Sequence, residues 1–546
     1  MYEKSKFDVA IVGGGLAGIC AAIELLGQGL KIAIIDRDSE TNFGGLAVQS
    51  LGGMTLIDTP VQRLNRIHDS PDIALADWLS CAHFSAQDHW PRQWAELYVN
   101  RSVDDIYNWL KPRGIRFFPI PHWVERGESG GGNSLPRYHI IWGTGQHLVL
   151  TLINELKHHA NSGNISYLFD HKVESILTRE QAVCGLQGTH EKTGQSFEVN
   201  AAIVLVASGG INGDINRVKQ EWDQSWGTPP EHLLNGAHRY ADGTLHDAVE
   251  RIDGKVTHLH QMWNYAAGIH HPQPRVPKEG LSLIPPKSAL WLDATGKRFG
   301  PLPLVTGFDT HNICKRIALD PHGYSWQLMN WKIALKEIAV SGAESNTAFR
   351  DRRIVQLARD IFLGNHKLLE YLVDECEDVV TANSLEELVE KMNALNSNSQ
   401  TVGSGRVELD NIRQAIGLYD AQIDLGKEFH NDDQLRRIAQ VRHWRGDRSR
   451  TCKSEKILNS KSMPLVAFRE FIVSRKSMGG IQTDLESRVL SSNGQPIAGL
   501  YAAGEAAGFG GGGINGLKSL EGTFISNCIL NARMAARSIG GQPLTP

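Results

Sequence analysis

The chain opens on an unbroken apolar, β-branched run, Phe7 to Val12, followed at once by Gly13-Gly14-Gly15-Leu16-Ala17-Gly18 and a further apolar stretch to Leu26. The first run reads as a buried strand, and Leu16 to Leu26 as a helix that begins inside the glycines. A second apolar run, Leu30 to Ile35, ends in Asp36. The pattern therefore predicts strand, glycine turn, helix, strand and acid, in the order a dinucleotide site requires. Gly13 permits the tight turn, Gly15 the close approach of a pyrophosphate, and Gly18 the packing of helix on strand. The first N–H groups and positive dipole end of the helix face the phosphates, and Asp36 stands where a ribose partner is expected. At this point NAD and FAD both fit.

The same reading continues along the chain. Gly44 to Gly53 is a small-residue loop suited to a flat cofactor, and residues 70–112 carry Trp, Leu and charged positions at helical spacing. Pro112 to Gly132 is rich in turn formers, Leu135 to His139 leads through Gly143-Thr144-Gly145 to a helix over Gln146–His159, and residues 165–199 alternate as a strand meander with a tip at Thr193-Gly194-Gln195. Ala201 to Ala207 is another buried strand, ending in Ser208-Gly209-Gly210. Near residue 262 the pattern changes. Aromatic, proline and histidine positions gather through 263–310, and helical spacing dominates from about 325 to 440, with 397–405 the most loop-like stretch. From Met463 the strand and glycine pattern returns, with strands near Gly480–Thr483, Arg488–Leu490 and Leu500–Ala502 and a closing helix over Thr523–Ser538.

These elements predict an α/β fold: a Rossmann-like domain, parallel sheet plus meander, interrupted by a mainly α+β capping domain. The predicted division is 1–262 and 456–546 for the dinucleotide domain and 263–455 for the insertion. With 546 residues there is room for both cores. The near balance of 56 basic and 60 acidic residues gives no footprint for nucleic acid. The first thirty residues are taken up by the βαβ unit, and no apolar run reaches membrane-spanning length, so no signal or span is expected. Seven cysteines without a CxxC pair argue for a reducing compartment and against a zinc ribbon or disulfide framework. A cytoplasmic location is expected, and no metal site.

Asp8 to Gly18 with Asp36, Ser50 to Gly53, Ala207-Ser208-Gly209-Gly210, Gly296-Lys297-Arg298-Phe299, Met478-Gly479-Gly480 and Gly499 to Glu505 resemble, in order, the flavoprotein superfamily of fumarate reductases and 3-ketosteroid dehydrogenases. Ser474-Arg475-Lys476, Gly508 to Gly513 and Leu520 to Phe524 are similar to its subgroup of FAD-binding dehydrogenases. The resemblance implies FAD rather than NAD, held without a covalent bond because Ala47-Val48-Gln49 offers no histidine. The cofactor-binding positions it implies are Gly13, Gly15, Leu16, Ala17, Gly18, Asp36, Arg37, Gly45, Ser50, Gly52, Gly53, Val173, Ala207, Ser208, Gly209, Gly504, Glu505, Gly522 and Thr523. The helix starting near Gly522 would favour an anionic reduced flavin, and Gly510–Gly513 is expected to turn toward the cofactor.

The implied reaction is hydride transfer between flavin N5 and a carbon–carbon bond conjugated to a carbonyl or carboxylate, which needs a polarising group and one acid or base. Lys476 stands where fumarate reductases carry a histidine, with Arg475 beside it; Lys518 falls at or next to their arginine, and Gly522 matches the carbonyl-binding glycine of steroid dehydrogenases. Tyr138 and His139 are the acid/base candidates, Arg298 reaches substrate or braces the cap, and Trp263 and Tyr265 could line the cleft. Gly300-Pro301-Leu302-Pro303 replaces the glutamate that commonly follows Gly-Lys-Arg-Phe, and Thr306 stands near the place of a steroid-enzyme tyrosine. His270-His271 lacks a third ligand at local spacing. The partners expected are a small-molecule substrate and a separate electron donor or acceptor, since a second dinucleotide motif is absent. A flavin oxidase, an amine or alcohol dehydrogenase, or a non-catalytic FAD electron carrier are the alternatives.

Overall fold

The computed structural model describes residues 6–128, 131–398 and 405–542. The opening pattern folds as strand Lys6–Val12, helix Leu16–Gly27 and strand Ile32–Ile35. Val9, Ala10 and Ile11 are wholly buried, as are Ile32, Ala33 and Ile34. Strands buried on both faces belong at the centre of a parallel sheet, which is why the sequence shows continuous apolar runs rather than alternation. Five strands run parallel in the order Ile165–Leu168, Ile32–Ile35, Lys6–Val12, Ser196–Val206 and Pro496–Ala502. The second half of Ser196–Val206 lies in this sheet, and its first half pairs antiparallel with Ala182–His190, which in turn pairs with His171–Arg179. That meander includes the hairpin whose tip holds Thr193 and Gly194. The helix Thr523–Ile539 packs on Leu16–Gly27, so the two ends of the chain share one core.

A second sheet is built around Leu465–Ser477, a thirteen-residue strand. Tyr324–Asn330, Met262–His270 and Val379–Ala382 pair with it antiparallel, and Leu233–Asn235 pairs with it parallel. This sheet therefore takes strands from both sides of the 263 and 455 boundaries read from the sequence. Tyr324–Asn330 also departs from the helical reading of 325–440. All seven of its residues are buried, polar Ser325, Gln327 and Asn330 among them, because neighbouring strands cover both edges and the core covers its faces. Helical structure begins at Trp331–Glu337 and continues through Ile354–Leu363, His366–Glu375, Leu385–Asn398, Leu409–Asp424 and Asp433–His443, with the strand Val379–Ala382 between them. Of the loop expected over 397–405, residues 399–404 lie outside the described residues, as do 129 and 130 of the turn-rich stretch. No helix among the described residues is long and apolar enough to cross a membrane, and all seven cysteines are unpaired.

Candidate active site

The carboxyl ends of the parallel strands converge on one cavity. Ligands of open α/β sheets bind at that edge, where strand ends and helix N-termini meet. Gly13 takes a φ of +111°, and a Cβ there would lie 2.3 Å from the Ala207 carbonyl oxygen. A Cβ on Gly18 would lie 2.0 Å from the Gly13 oxygen, so both positions exclude any side chain. A Cβ on Gly15 meets nothing within 4 Å, and Gly15 starts the helix without a side-chain cap. The helix thus presents uncapped N–H groups beside open space, the requirement for a bound pyrophosphate. Asp36 accepts from the Gly14 N–H at 2.6 Å and the Asp38 N–H at 2.7 Å, and burial nonetheless raises its pKa. Arg37 is tied to Glu191 and Asp242 at 2.5 and 2.6 Å.

Leu16, Ala17, Gly45, Ser50, Gly52, Gly53, Val173, Ala207, Ser208, Gly209, Glu505 and Gly522 line the same cavity with Gly13, Gly15, Asp36 and Arg37. These surroundings fit an extended dinucleotide. Gly18, Gly504 and Thr523 do not line it. Gly504 has a φ of +70° with its Cβ direction against Ala17, and the Thr523 hydroxyl bonds Asn515 and Ser519 in the core. The glycine run 510–513 also turns away from the cavity. A Cβ on Gly510 would strike the Trp94 ring, one on Gly511 the Trp90 backbone and one on Gly512 the Thr257 hydroxyl, so the run is small for protein packing and only its neighbour Phe509 reaches the cavity.

The other end of the cavity collects polar side chains from four elements. Strands Gly53–Thr55 and Tyr138–Ile140 pair, so that the Tyr138 side chain lies against Gly53, whose Cβ would come within 1.9 Å of it. Thr55 donates its N–H to the Gly522 carbonyl and its hydroxyl to that of Glu521, at 2.9 and 2.8 Å, fixing the start of the helix Thr523–Ile539. Gly522 itself has a φ of +101° and no room for a Cβ beside Tyr138. On the second sheet, Trp263 pairs with Lys476, and a bulge between Trp263 and Tyr265 shifts the register. Bulges re-aim side chains. Trp263 and Tyr265 both donate to one Glu521 oxygen, at 2.6 and 2.9 Å, while the Lys476 ammonium approaches the Tyr265 hydroxyl at 3.3 Å. Burial lowers the Lys476 pKa to about 8 despite Glu521, raises those of Tyr265 and Tyr138, and lifts Glu505 to about 7.

Lys476 and Tyr138 thus meet at one site, and the other three catalytic candidates lie elsewhere. Lys518 pairs with Asp309 at 2.5 Å and does not line the cavity, so no two-lysine clamp forms. His139 is wholly buried with both ring nitrogens engaged, one by Thr59 at 2.8 Å and one by the Arg137 carbonyl at 2.6 Å, and burial lowers its pKa to about 4. Arg298 grips Asp432 through two nitrogens and Gln434 through one, bracing the cap. Trp263 is buried behind the cavity, whereas Tyr265 and Arg475 line it. The Arg475 guanidinium donates to the Gly236 carbonyl at 2.5 Å. Glu521, which organises the site, stood in a quoted motif that assigned roles only to its neighbours. Its signal was an acid placed directly before a helix-starting glycine. His270, Glu377 and Asp378 gather within 4.8 Å, ligand types at a separation that local spacing does not reveal, although Asp378 is already held by Arg469.

Leu51, Tyr138, Tyr265, Ser341 and Glu521 also line a second cavity. Its walls are largely apolar: Val124, Ile140, Leu283, Ile284, Trp291 and Ile313. The two cavities therefore share a polar partition and differ in chemistry on either side.

The FAD binding domain family matches residues 8–525 of the chain. The KsdD-like steroid dehydrogenase of Mycobacterium tuberculosis is 39% identical over 98% of this chain and 96% of its own length. In architecture, the open conformation of a flavocytochrome c3 fumarate reductase superposes with a TM-score of 0.68 at 17% identity, covering 100% of this chain and 80% of that one. The 3-ketosteroid-Δ4-(5α)-dehydrogenase of Rhodococcus jostii RHA1 gives 0.63 at 19% identity, covering 99% and 98%. The chain belongs to the FAD binding domain family and is an FAD-dependent oxidoreductase homologous to the KsdD-like steroid dehydrogenases.

Proposed function

We propose that this enzyme introduces or removes a carbon–carbon double bond conjugated to a ketone in a large apolar ring substrate of the ketosteroid kind. The observation that carries the reading is the polar partition of Tyr138, Tyr265 and Glu521, with Lys476 behind Tyr265, between the dinucleotide cavity and an apolar chamber. Bound FAD supplies a site that accepts or donates hydride. The substrate ketone is polarised by the Tyr138 hydroxyl and the uncapped start of helix Thr523–Ile539. In the oxidative direction the Tyr265 hydroxyl hands its proton to Glu521 as its oxygen takes one from the carbon next to the hydride donor. In the reductive direction both transfers reverse. The Lys476 ammonium stabilises negative charge on the Tyr265 oxygen during either transfer.

FAD is held without a covalent link in this reading, and electrons pass to or from a separate partner. The described cysteines, all free, support a cytoplasmic location. A capping domain over 263–455 covers the chamber, and its closure excludes water. The test mixes the FAD-loaded enzyme anaerobically with a 3-oxo-4-ene steroid and a 3-oxo-5α-steroid. Bleaching of the flavin with a product two mass units lighter supports the oxidative reading. Dithionite-reduced enzyme that is reoxidised by a 3-oxo-1,4-diene, with a product two units heavier, supports the reductive one. Flavin that responds to none of these steroids, yet is reduced by amines or alcohols, sinks the proposal.

A further inference from the structure

Beyond the partition, the apolar chamber is lined by three residues whose nitrogen donors make no side-chain hydrogen bond among the described residues. The guanidinium of Arg450, the ammonium of Lys287 and the ring of His122 line the chamber, and none of these side chains has a hydrogen bond or ion pair among the described residues. All three residues belong to the second cavity only, away from the wall shared with the cofactor. Burial lowers the His122 pKa, with Arg450 and Lys287 adding to the shift and Asp447 opposing it, and burial lowers that of Arg450 against the pull of Glu337 and Asp447.

The carboxylates nearby are committed to other donors. Asp447 is paired with Arg126 at 2.6 Å. Glu337 accepts from the N–H groups of Lys287, Ser288 and Cys452 and from the Ser288 hydroxyl, at 2.6 to 3.2 Å. Glu125 accepts the N–H and hydroxyl of Thr310, and burial lifts its pKa to about 8, so it is protonated near neutrality. Two cations and an imidazole donor then face a chamber whose three other carboxylates, Asp447, Glu337 and Glu521, all already accept hydrogen bonds. A desolvated guanidinium without a hydrogen-bonded partner, as at Arg450, is costly, and an incoming anion reduces that cost.

We infer that the substrate carries a carboxylate as well as its apolar ring body, and that Arg450, Lys287 and His122 receive this acidic group while the rings reach toward Tyr138 and Tyr265. The inference rests on the ketosteroid-type reading of the chamber and adds a specificity-determining site to it. The chemistry separates this enzyme's substrate from a neutral steroid diketone: the acid end is read by charge, the enone end by the partition.

Binding to the FAD-loaded protein is measured by calorimetry for deoxycholate, below its micellar concentration, and for its methyl ester. The acid should bind about tenfold tighter than the ester, as a charge-assisted pair to a desolvated cation predicts. In Arg450→Gln and in Lys287→Gln the acid-to-ester ratio should fall toward one, with FAD content monitored by flavin absorbance to show that each variant is folded. Equal binding of acid and ester to the native protein, tighter binding of the ester, no binding of either, or a ratio unchanged in both variants overturns the inference. Turnover of a 3-oxo-4-ene steroid that carries a side-chain carboxylate is read separately, and its absence counts against the dehydrogenase reading while leaving an acid-over-ester preference standing.

Discussion

The two cavities that meet at Tyr138, Tyr265 and Glu521 are made in opposite ways. The cofactor side is largely backbone: strand ends, positive-φ glycines and two uncapped helix starts, assembled from segments that lie at the ends of the chain. The apolar chamber, the proposed substrate side, is built of side chains, with contributions from Val124, Ile140, Leu283, Trp291, Ile313 and Arg450, none of them near another in a short motif. A backbone site is exacting about a few small residues, whereas a side-chain site tolerates exchange at each wall and so can be re-specified.

The sharpest way to break this contrast is at the backbone. Gly13→Ala places a Cβ 2.3 Å from the Ala207 oxygen at a φ of +111°. Strain and lost contact of about 3 kcal/mol would weaken FAD binding roughly a hundredfold, and purified protein should be nearly colourless. A variant that keeps full flavin absorbance would show the cradle to be more forgiving than its geometry. The partition comes next. Tyr265→Phe removes the hydroxyl between Lys476 and Glu521, so kcat should drop by roughly a hundred- to ten-thousandfold with FAD content intact.

On the substrate side, Glu125 supplies a pH signature. Its folded pKa is raised to about 8 from an ordinary value of 4.5, so between those values the folded state holds a proton that the unfolded state has lost. Stability from this group is full below its unfolded pKa and is lost as pH rises through the folded one, by on the order of a few kcal/mol. Thermal melts of Glu125→Gln should accordingly fall less between pH 5 and 8 than those of the native enzyme. An equal fall in both would assign the slope to other groups. The smallest effect is expected at Lys518→Met, which removes an ion pair with Asp309 outside both cavities. Because buried Asp309 loses its cation, stability should fall by on the order of 2 kcal/mol, while kcat should change by less than about twofold. The matching change Lys476→Met should instead reduce turnover strongly.

The same contrast explains what could be read before the fold was seen. Gly13, Gly15, Asp36 and Gly522 are local statements, since a tight turn or a helix start needs particular residues at particular spacing. The catalytic candidates required knowledge of which distant segments face each other. His139 adjoins Tyr138 in sequence, yet on a strand successive side chains point to opposite sides, and the histidine ends in the core beside Thr59. Lys518 and Lys476 both align with functional positions of relatives, but the segment before Gly522 turns so that Glu521 rather than Lys518 enters the site. Tyr324–Asn330 reads with the helical stretch that follows it although Tyr324 to Leu328 alternates as a strand would, and its place between two strands explains the burial of its polar residues. Arg450 and Lys287 carried no signal at all. Their isolation from partners is a property of the folded chamber.

Leu465–Ser477 joins the two halves mechanically. Fully extended, thirteen residues span about 40 Å. Its first residues are clamped between Tyr324–Asn330 and Val379–Ala382 in the covering sheet, and its last ones, Arg475 and Lys476, form part of the cofactor cavity wall. A strand held in this manner behaves as a stiff rod: displacement at the covering end is delivered to the Lys476 end with little slack. In the proposed mechanism a tilt at the covering end would therefore retune the cation behind Tyr265, and the electrostatics of proton transfer would report the position of the covering sheet.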